Sequence, residues 1–241
     1  MTSTDDRLRE DHHVHSTFSD GKSTLEENIA HAERVGLRRL GCVDHVRVDT
    51  TYVPAYVKAI GALRSTTAVE LSAGIEAKIL DTDGRLDLPA AGLDGVDRVY
   101  IADHQFPWRG GPQSPRVVKG WLEGGETSPD ACIAALVDAT IAAMRGCRAH
   151  ALVLAHLFSI LPKVGLAEDR VSSAHLQALA AAAVETRTIV EISERWRCPS
   201  VRTLATMKAA GVALVCSTDS HMASAIGRYE YVRAACLELG A

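Results

Sequence analysis

The stretch Asp11-His12-His13-Val14-His15-Ser16-Thr17-Phe18-Ser19-Asp20-Gly21 reads as a strand that runs into a Ser/Gly turn. Residues i and i+2 of a strand point to one face, so His13 and His15 can converge on one ion, while His12 turns the other way and is expected to be structural. Imidazole suits Zn, Fe, Mn or Ni, and Asp20 lies in the turn, where a carboxylate can fold back towards the same pocket. Taken alone, a His-x-His pair reads equally as two exposed histidines.

The same chemistry recurs down the chain. Apolar runs end in potential ligands at Gly41-Cys42-Val43-Asp44-His45, Ala73-Gly74-Ile75-Glu76, Val99-Tyr100-Ile101-Ala102-Asp103-His104, Leu152-Val153-Leu154-Ala155-His156 and Val215-Cys216-Ser217-Thr218-Asp219-Ser220-His221. After the first strand, the spacing predicts strands over 38–46, 71–79, 98–104, 151–157, 188–193 and 212–218, with a turn at Asp81-Thr82-Asp83-Gly84. A capping box, Thr24 with Glu27, opens a helix whose apolar positions Leu25, Ile29, Ala32 and Val35 recur at helical intervals before Gly36. Further helices are expected over 54–64, 128–144 (Ser128 capping, Pro129 at the first position), 172–184 and 200–210, and a last one ends near Leu239. The Gly/Pro-rich stretch 105–127 reads as a long irregular loop, a lid or wall.

Near-continuous apolar strands separated by helices argue for a parallel sheet covered by helices. An open doubly wound sheet would gather ligands at one switch point, whereas a closed barrel gathers them from all round at the strands' C-terminal ends. The predicted fold is therefore α/β, a distorted, TIM-barrel-like (β/α)7 barrel forming one domain over residues 1–241.

Composition agrees with one large core: 241 residues, 47% of them hydrophobic, with a formal charge of −4. Lys and Arg are scattered, so there is no basic footprint for nucleic acid. The opening Met1 to Glu10 is polar and charged, and no apolar run reaches membrane-spanning length, so the expectation is a cytoplasmic protein with no membrane partner. Six cysteines, Cys42, Cys132, Cys147, Cys198, Cys216 and Cys236, lie far apart without a C-x-x-C pair and read as small buried hydrophobes.

In order, His-x-His…Ser-Asp-Gly, Asp-His, Gly-Ile-Glu, two histidines at strand ends and a final Asp-x-His resemble the PHP family, the polymerase and histidinol phosphatase domain, from about Asp11 to His221. The resemblance implies a trinuclear site: His13, His15, Glu76 and Asp219 on one ion, Asp20, His45 and His221 on a second, and His104 and His156 on a third, with Glu76 bridging the first and third. Some members carry histidine where Asp20 stands. Nine N/O ligands without a thiolate favour two to three divalent ions of Zn, Mn or Fe.

The implied activity is hydrolysis of a small phosphate monoester by a metal-activated water, with Glu76, Asp219 and His221 central to catalysis and histidinol phosphate as the first candidate. Alternatives are a phosphodiesterase or nuclease, a hydrolase of a C–N bond, and a non-catalytic metal-binding module. Amidohydrolase barrels also carry His-x-His but bridge their metals through a modified lysine, where this chain has Glu76. Arg195 and Arg197, just past the sixth strand, and Arg109 in the long loop are candidate phosphate binders, because a guanidinium forms bidentate pairs with phosphate. Asp44 and Asp103 precede ligands and either orient them or are solvated loop acids. Glu191, inside the sixth strand, is costly facing the barrel unless paired.

Overall fold

A computed structural model describes residues 4–147 and 150–240. Its centre is one seven-stranded parallel sheet in sequential order: β1 (Glu10–Val14), β2 (Arg39–His45), β3 (Glu70–Lys78), β4 (Arg98–Ala102), β5 (Ala151–Leu154), β6 (Ile189–Ser193) and β7 (Leu214–Ser217). The sheet curls until its edges meet, where the His15 amide donates to the Ser220 carbonyl at 2.8 Å and the Ser220 amide to the His13 carbonyl at 3.3 Å. Asp11 fastens the same seam. Its carboxylate, fully buried, accepts the Thr218 amide (2.9 Å) and hydroxyl (2.6 Å) and the Gly227 amide (3.1 Å). Burial outweighs those bonds and raises its pKa above the usual carboxylate value.

Helices cover the outside: α1 (Thr4–Arg7), α2 (Leu25–Arg34), α3 (Val53–Leu63), α4 (Pro115–Gly124), α5 (Pro129–Gly146), α6 (Ser173–Thr186), α7 (Val201–Ala209) and α8 (Tyr231–Glu238). The predicted capping box is present in full, with the Thr24 hydroxyl on the Glu27 amide and the Glu27 carboxylate on the Thr24 amide. Leu25, Ile29 and Ala32 are buried as their spacing requires, but Val35 is the C-cap residue and half-exposed. Five cysteines are buried and Cys147 is partly so, and all six are free.

The predicted turn at 81–84 is present, and no helix joins β3 to β4. A short antiparallel bridge pairs Ile79 with Leu86 around the 81–84 turn, where Gly84 (φ +77°) presses so closely on the α5 backbone that a Cβ would meet the Ala143 nitrogen at 2.2 Å. The chain departs from expectation at 105–127, a predicted loop that is half helix: Ser114 caps α4 and Pro115 takes its first turn, the same Ser-Pro device that opens α5 at Ser128-Pro129.

Inside the barrel, Val43, Tyr100, Ala102, Val153 and Ala155 form an apolar plug. Gly74 leaves room for it, since a Cβ there would come within 2.8 Å of the Tyr100 ring. The Tyr100 hydroxyl donates to the His12 carbonyl. Above this floor the strands deliver their last residues to one mouth.

Candidate metal centre

Glu76, near the end of β3, is the hub. Its side chain is 1% exposed and lies among five imidazoles. His156 Nε2 (2.9 Å) and His104 Nε2 (3.1 Å) face Oε1, and His45 Nδ1 (2.8 Å), His13 Nε2 (3.6 Å) and His15 Nε2 (3.7 Å) face Oε2. Burial alone would raise the Glu76 pKa. His104 and His13 override that and hold it well below the carboxylate range.

Asp219 lies 3.1 Å from His15 Nε2, and Asp20 reaches His45 Nε2 (3.5 Å) and His221 Nε2 (3.3 Å). Three groups of donor atoms lie within 4.8 Å of one another: His13, His15 and Asp219; His15, Asp20, His45 and His221; and His45, Glu76 and His104. His15 and His45 each join two groups. The sequence placed each of them on a single ion, and their central position follows from the barrel's closure, which spacing does not reveal. His156 joins through Oε1 of Glu76.

These donors fit divalent cations. Nδ1 of His13 meets the Glu191 carboxylate at 2.9 Å, an orientation that leaves its Nε2 facing Nε2 of His15, 3.1 Å away. Nδ1 of His15 and Oε2 of Glu76 are buried with no hydrogen-bond partner among the described residues. Burial pushes His15 down to about 4, keeping it the neutral imidazole that ligates metals. Burial also opposes charge on His156, but its bonds to Asp103 and Glu76 prevail and raise it to about 10. Carboxylates crowded against imidazoles demand positive charge, and protons or metal ions supply it.

A second layer holds the ligands. Glu191, fully buried on β6, takes His13 on one oxygen and the His156 amide on the other (2.6 Å), which is the pairing its burial required. Ser159 bridges His156 Nδ1 (3.0 Å) and Asp103 (2.7 Å). Asp44 accepts the Ser16 amide (3.0 Å) and hydroxyl (2.6 Å), fixing the turn that carries Asp20; burial lifts its carboxyl to about 6 against those bonds. Trp196 Nε1 donates to Asp219 at 2.6 Å. Sequence reasoning passed over Trp196 as a positioning group, because its partner lies on another strand. His156 (φ 29°) and Asp219 (φ 51°) both occupy left-handed backbone, which non-glycine residues seldom adopt.

The three arginines separate. Arg195 reaches the centre, with Nη1 at 2.8 Å from His221 Nδ1 and 3.3 Å from the Asp219 carbonyl. Arg197 lies over the Tyr231 ring and 3.7 Å from Glu230, on the side of α8. Arg109 lines another cavity, between the α4 approach and α5, with Trp108 and Asp138. His12 turns away, as strand alternation implied, and meets Glu10 at 2.9 Å.

No curated protein matches the sequence significantly. Among solved structures, the chain is similar to histidinol phosphate phosphatase from Lactococcus lactis, complexed with zinc, L-histidinol and phosphate. The TM-score is 0.68 at 16% identity, covering 95% of this chain and 91% of that one. It is also similar to a histidinol phosphatase, described as putative, from Listeria monocytogenes, with a TM-score of 0.65 at 13% identity over 91% of this chain and 97% of that one. At such identities the likeness is one of fold. The model of the PHP domain matches residues 11–195, well over half of the sequence, and the chain belongs to that family.

Proposed function

We propose that this chain, acting as one domain, is a metal-dependent phosphatase of small phosphate monoesters that uses two to three divalent ions of Zn, Mn or Fe. The observation that carries the reading is the convergence of His13, His15, Asp20, His45, Glu76, His104, His156, Asp219 and His221 at the mouth of one barrel, beside a cavity of about 690 Å³. The solved relative that holds zinc, L-histidinol and phosphate supports it. When bound, the ions supply acidity to water and positive charge to phosphoryl oxygens.

The chain's own residues do the rest. Glu76 offers one oxygen to each side of the cluster, the bridging role, and Asp219 and His221 carry the β7 side. Glu191, Asp103 and Asp44 fix imidazoles and turn before substrate arrives, so little reorganisation is needed at the moment of reaction. Arg195, poised over His221 and Asp219, is placed to pair with a phosphate oxygen. Arg197 and Arg109, turned elsewhere, have no part in this proposal.

A cavity of this size suits a small leaving group better than a nucleic-acid chain, which needs a long basic or stacking groove. The test is a screen of phosphorylated metabolites, including histidinol phosphate, with nucleotides, cyclic diesters and single-stranded oligonucleotides, against protein reloaded with Mn, Fe or Zn. Turnover of small monoesters is expected. Cleavage of diesters or oligonucleotides alone would overturn the reading.

A further inference from the structure

The cavity next to the centre is lined by ligands on one side and, on the other, by Arg47, Thr50, Tyr52, Lys78 and Gln105. Outside the ligands, its charged lining is cationic. Arg47 follows His45 by two residues, and Lys78 follows Glu76 by two. His45 and Glu76 are register partners on adjacent parallel strands, and the two cations beyond them line one cavity. The Arg47 guanidinium is exposed and has no hydrogen-bond or ion-pair partner among the described residues. Lys78 is held from behind by Asp87 at 3.3 Å, a buried carboxylate whose other oxygen accepts the Val48 amide at 2.8 Å. One contact leaves an ammonium two further donors. The neutral groups here are partly spent: the Tyr52 hydroxyl donates to the His45 carbonyl, and Thr50 Oγ1 accepts the Arg47 amide.

On the other flank of the cluster, Arg195 lines a separate cavity of about 490 Å³ with Lys22, Asp219 and His221. A phosphoryl group over the cluster thus has its own guanidinium, and the leaving group is left to the Arg47 and Lys78 side. There a cationic leaving group, such as an ammonium or imidazolium, meets two positive charges, and the carboxylates in the lining, Asp20 and Glu76, belong to the proposed ligand set. From this arrangement we infer that the physiological substrate bears a second anionic group, a carboxylate or a second phosphate, which Arg47 and Lys78 bind. The inference rests on the monoester reading above, and it places histidinol phosphate among the poorer substrates.

The test separates the two. Calorimetry on the metal-loaded protein compares four non-hydrolysable phosphonates: 3-phosphonopropionate, propane-1,3-bisphosphonate, propylphosphonate and 2-aminoethylphosphonate. Hydrolysis is measured in parallel with 3-phosphoglycerate, glycerol 3-phosphate, phosphoethanolamine and histidinol phosphate. One of the two ligands with an anionic tail is expected to bind about tenfold more tightly than the neutral one, the scale of one charge-assisted hydrogen bond, and the cationic one least tightly. Which of the two leads tells carboxylate from phosphate.

Arg47→Gln, an exposed substitution, should erase most of that preference, and Arg47→Glu should turn it towards 2-aminoethylphosphonate. Lys78→Gln should reduce it in the same direction. Equal binding of anionic and cationic tails, or an Arg47→Gln variant that weakens all four ligands alike, would overturn the inference. Selective phosphonate binding with no turnover of any monoester would uphold the anion site and overturn the phosphatase reading instead.

Discussion

Glu76→Gln changes one oxygen to an amide nitrogen at almost constant volume, so it opens no cavity. The side chain is 1% exposed and sits 2.8–3.7 Å from five histidines. It loses a charge that belongs to one of the three donor groups directly and faces the other two through the nitrogens of His13, His15 and His45. Losing an outer-layer partner of a ligand already costs about 10–100-fold in metal affinity, so losing the hub should cost at least about 100-fold at two positions together. The fold should survive. The amide removes the cost of burying a carboxylate but strips the surrounding imidazoles of their partner, so the chelated variant should be less stable by up to about 3–5 kcal/mol. For a chain of this length that is a fall in Tm of up to about 6–20 °C, which leaves a folded protein to assay. The assay is metal stoichiometry by mass spectrometry after equilibration with Mn or Zn, with circular dichroism and turnover on the same samples. Unchanged stoichiometry in a folded variant would refute the hub assignment.

Other outcomes follow from the same geometry. Asp219→Ala and His221→Ala should each lower kcat/KM by orders of magnitude while Tm in chelator stays close to that of the wild type; near wild-type activity in either would contradict the shared centre. Glu191→Gln touches no substrate, yet it frees the His13 ring and weakens the bond to the His156 amide, so metal affinity should fall about 10–100-fold, read by competition with a chelating dye. Trp196→Phe removes the 2.6 Å bond to Asp219 and should cost activity with little change in KM for a small monoester. Ions held at about a hundred times their dissociation constant stabilise by about 2.7 kcal/mol, so chelation should lower Tm by about 5–11 °C, and readdition should restore it.

The barrel was legible because its chemistry is concentrated at strand ends. Periodicity places His13 and His15 on one face, and Glu76 and the Asp-x-His of Asp219 and His221 each terminate an apolar run, so local pattern and site geometry agree. What local pattern does not carry is pairing across the barrel. Asp11 meets Thr218 and Gly227 more than 200 residues away, contacts that exist only once β1 and β7 join, and Trp196 meets Asp219 across the ends of the paired strands β6 and β7. The same limit applies to the arginines: residue type nominated Arg195, Arg197 and Arg109 alike, and only the turn after β6 separates Arg195 at the centre from Arg197 on the α8 side. The helix α4 was within reach of the sequence, since Ser114-Pro115 repeats the signal at Ser128-Pro129, but the surrounding glycines and prolines hid it.

The most direct test of a metal-dependent phosphatase is hydrolysis of small phosphate monoesters by protein first stripped with chelator and then titrated with Mn, Zn or Fe. No turnover is expected from the stripped protein, with recovery that saturates at two to three ions per chain. Turnover indifferent to chelation, or a fully loaded protein inert towards every monoester offered, would contradict it.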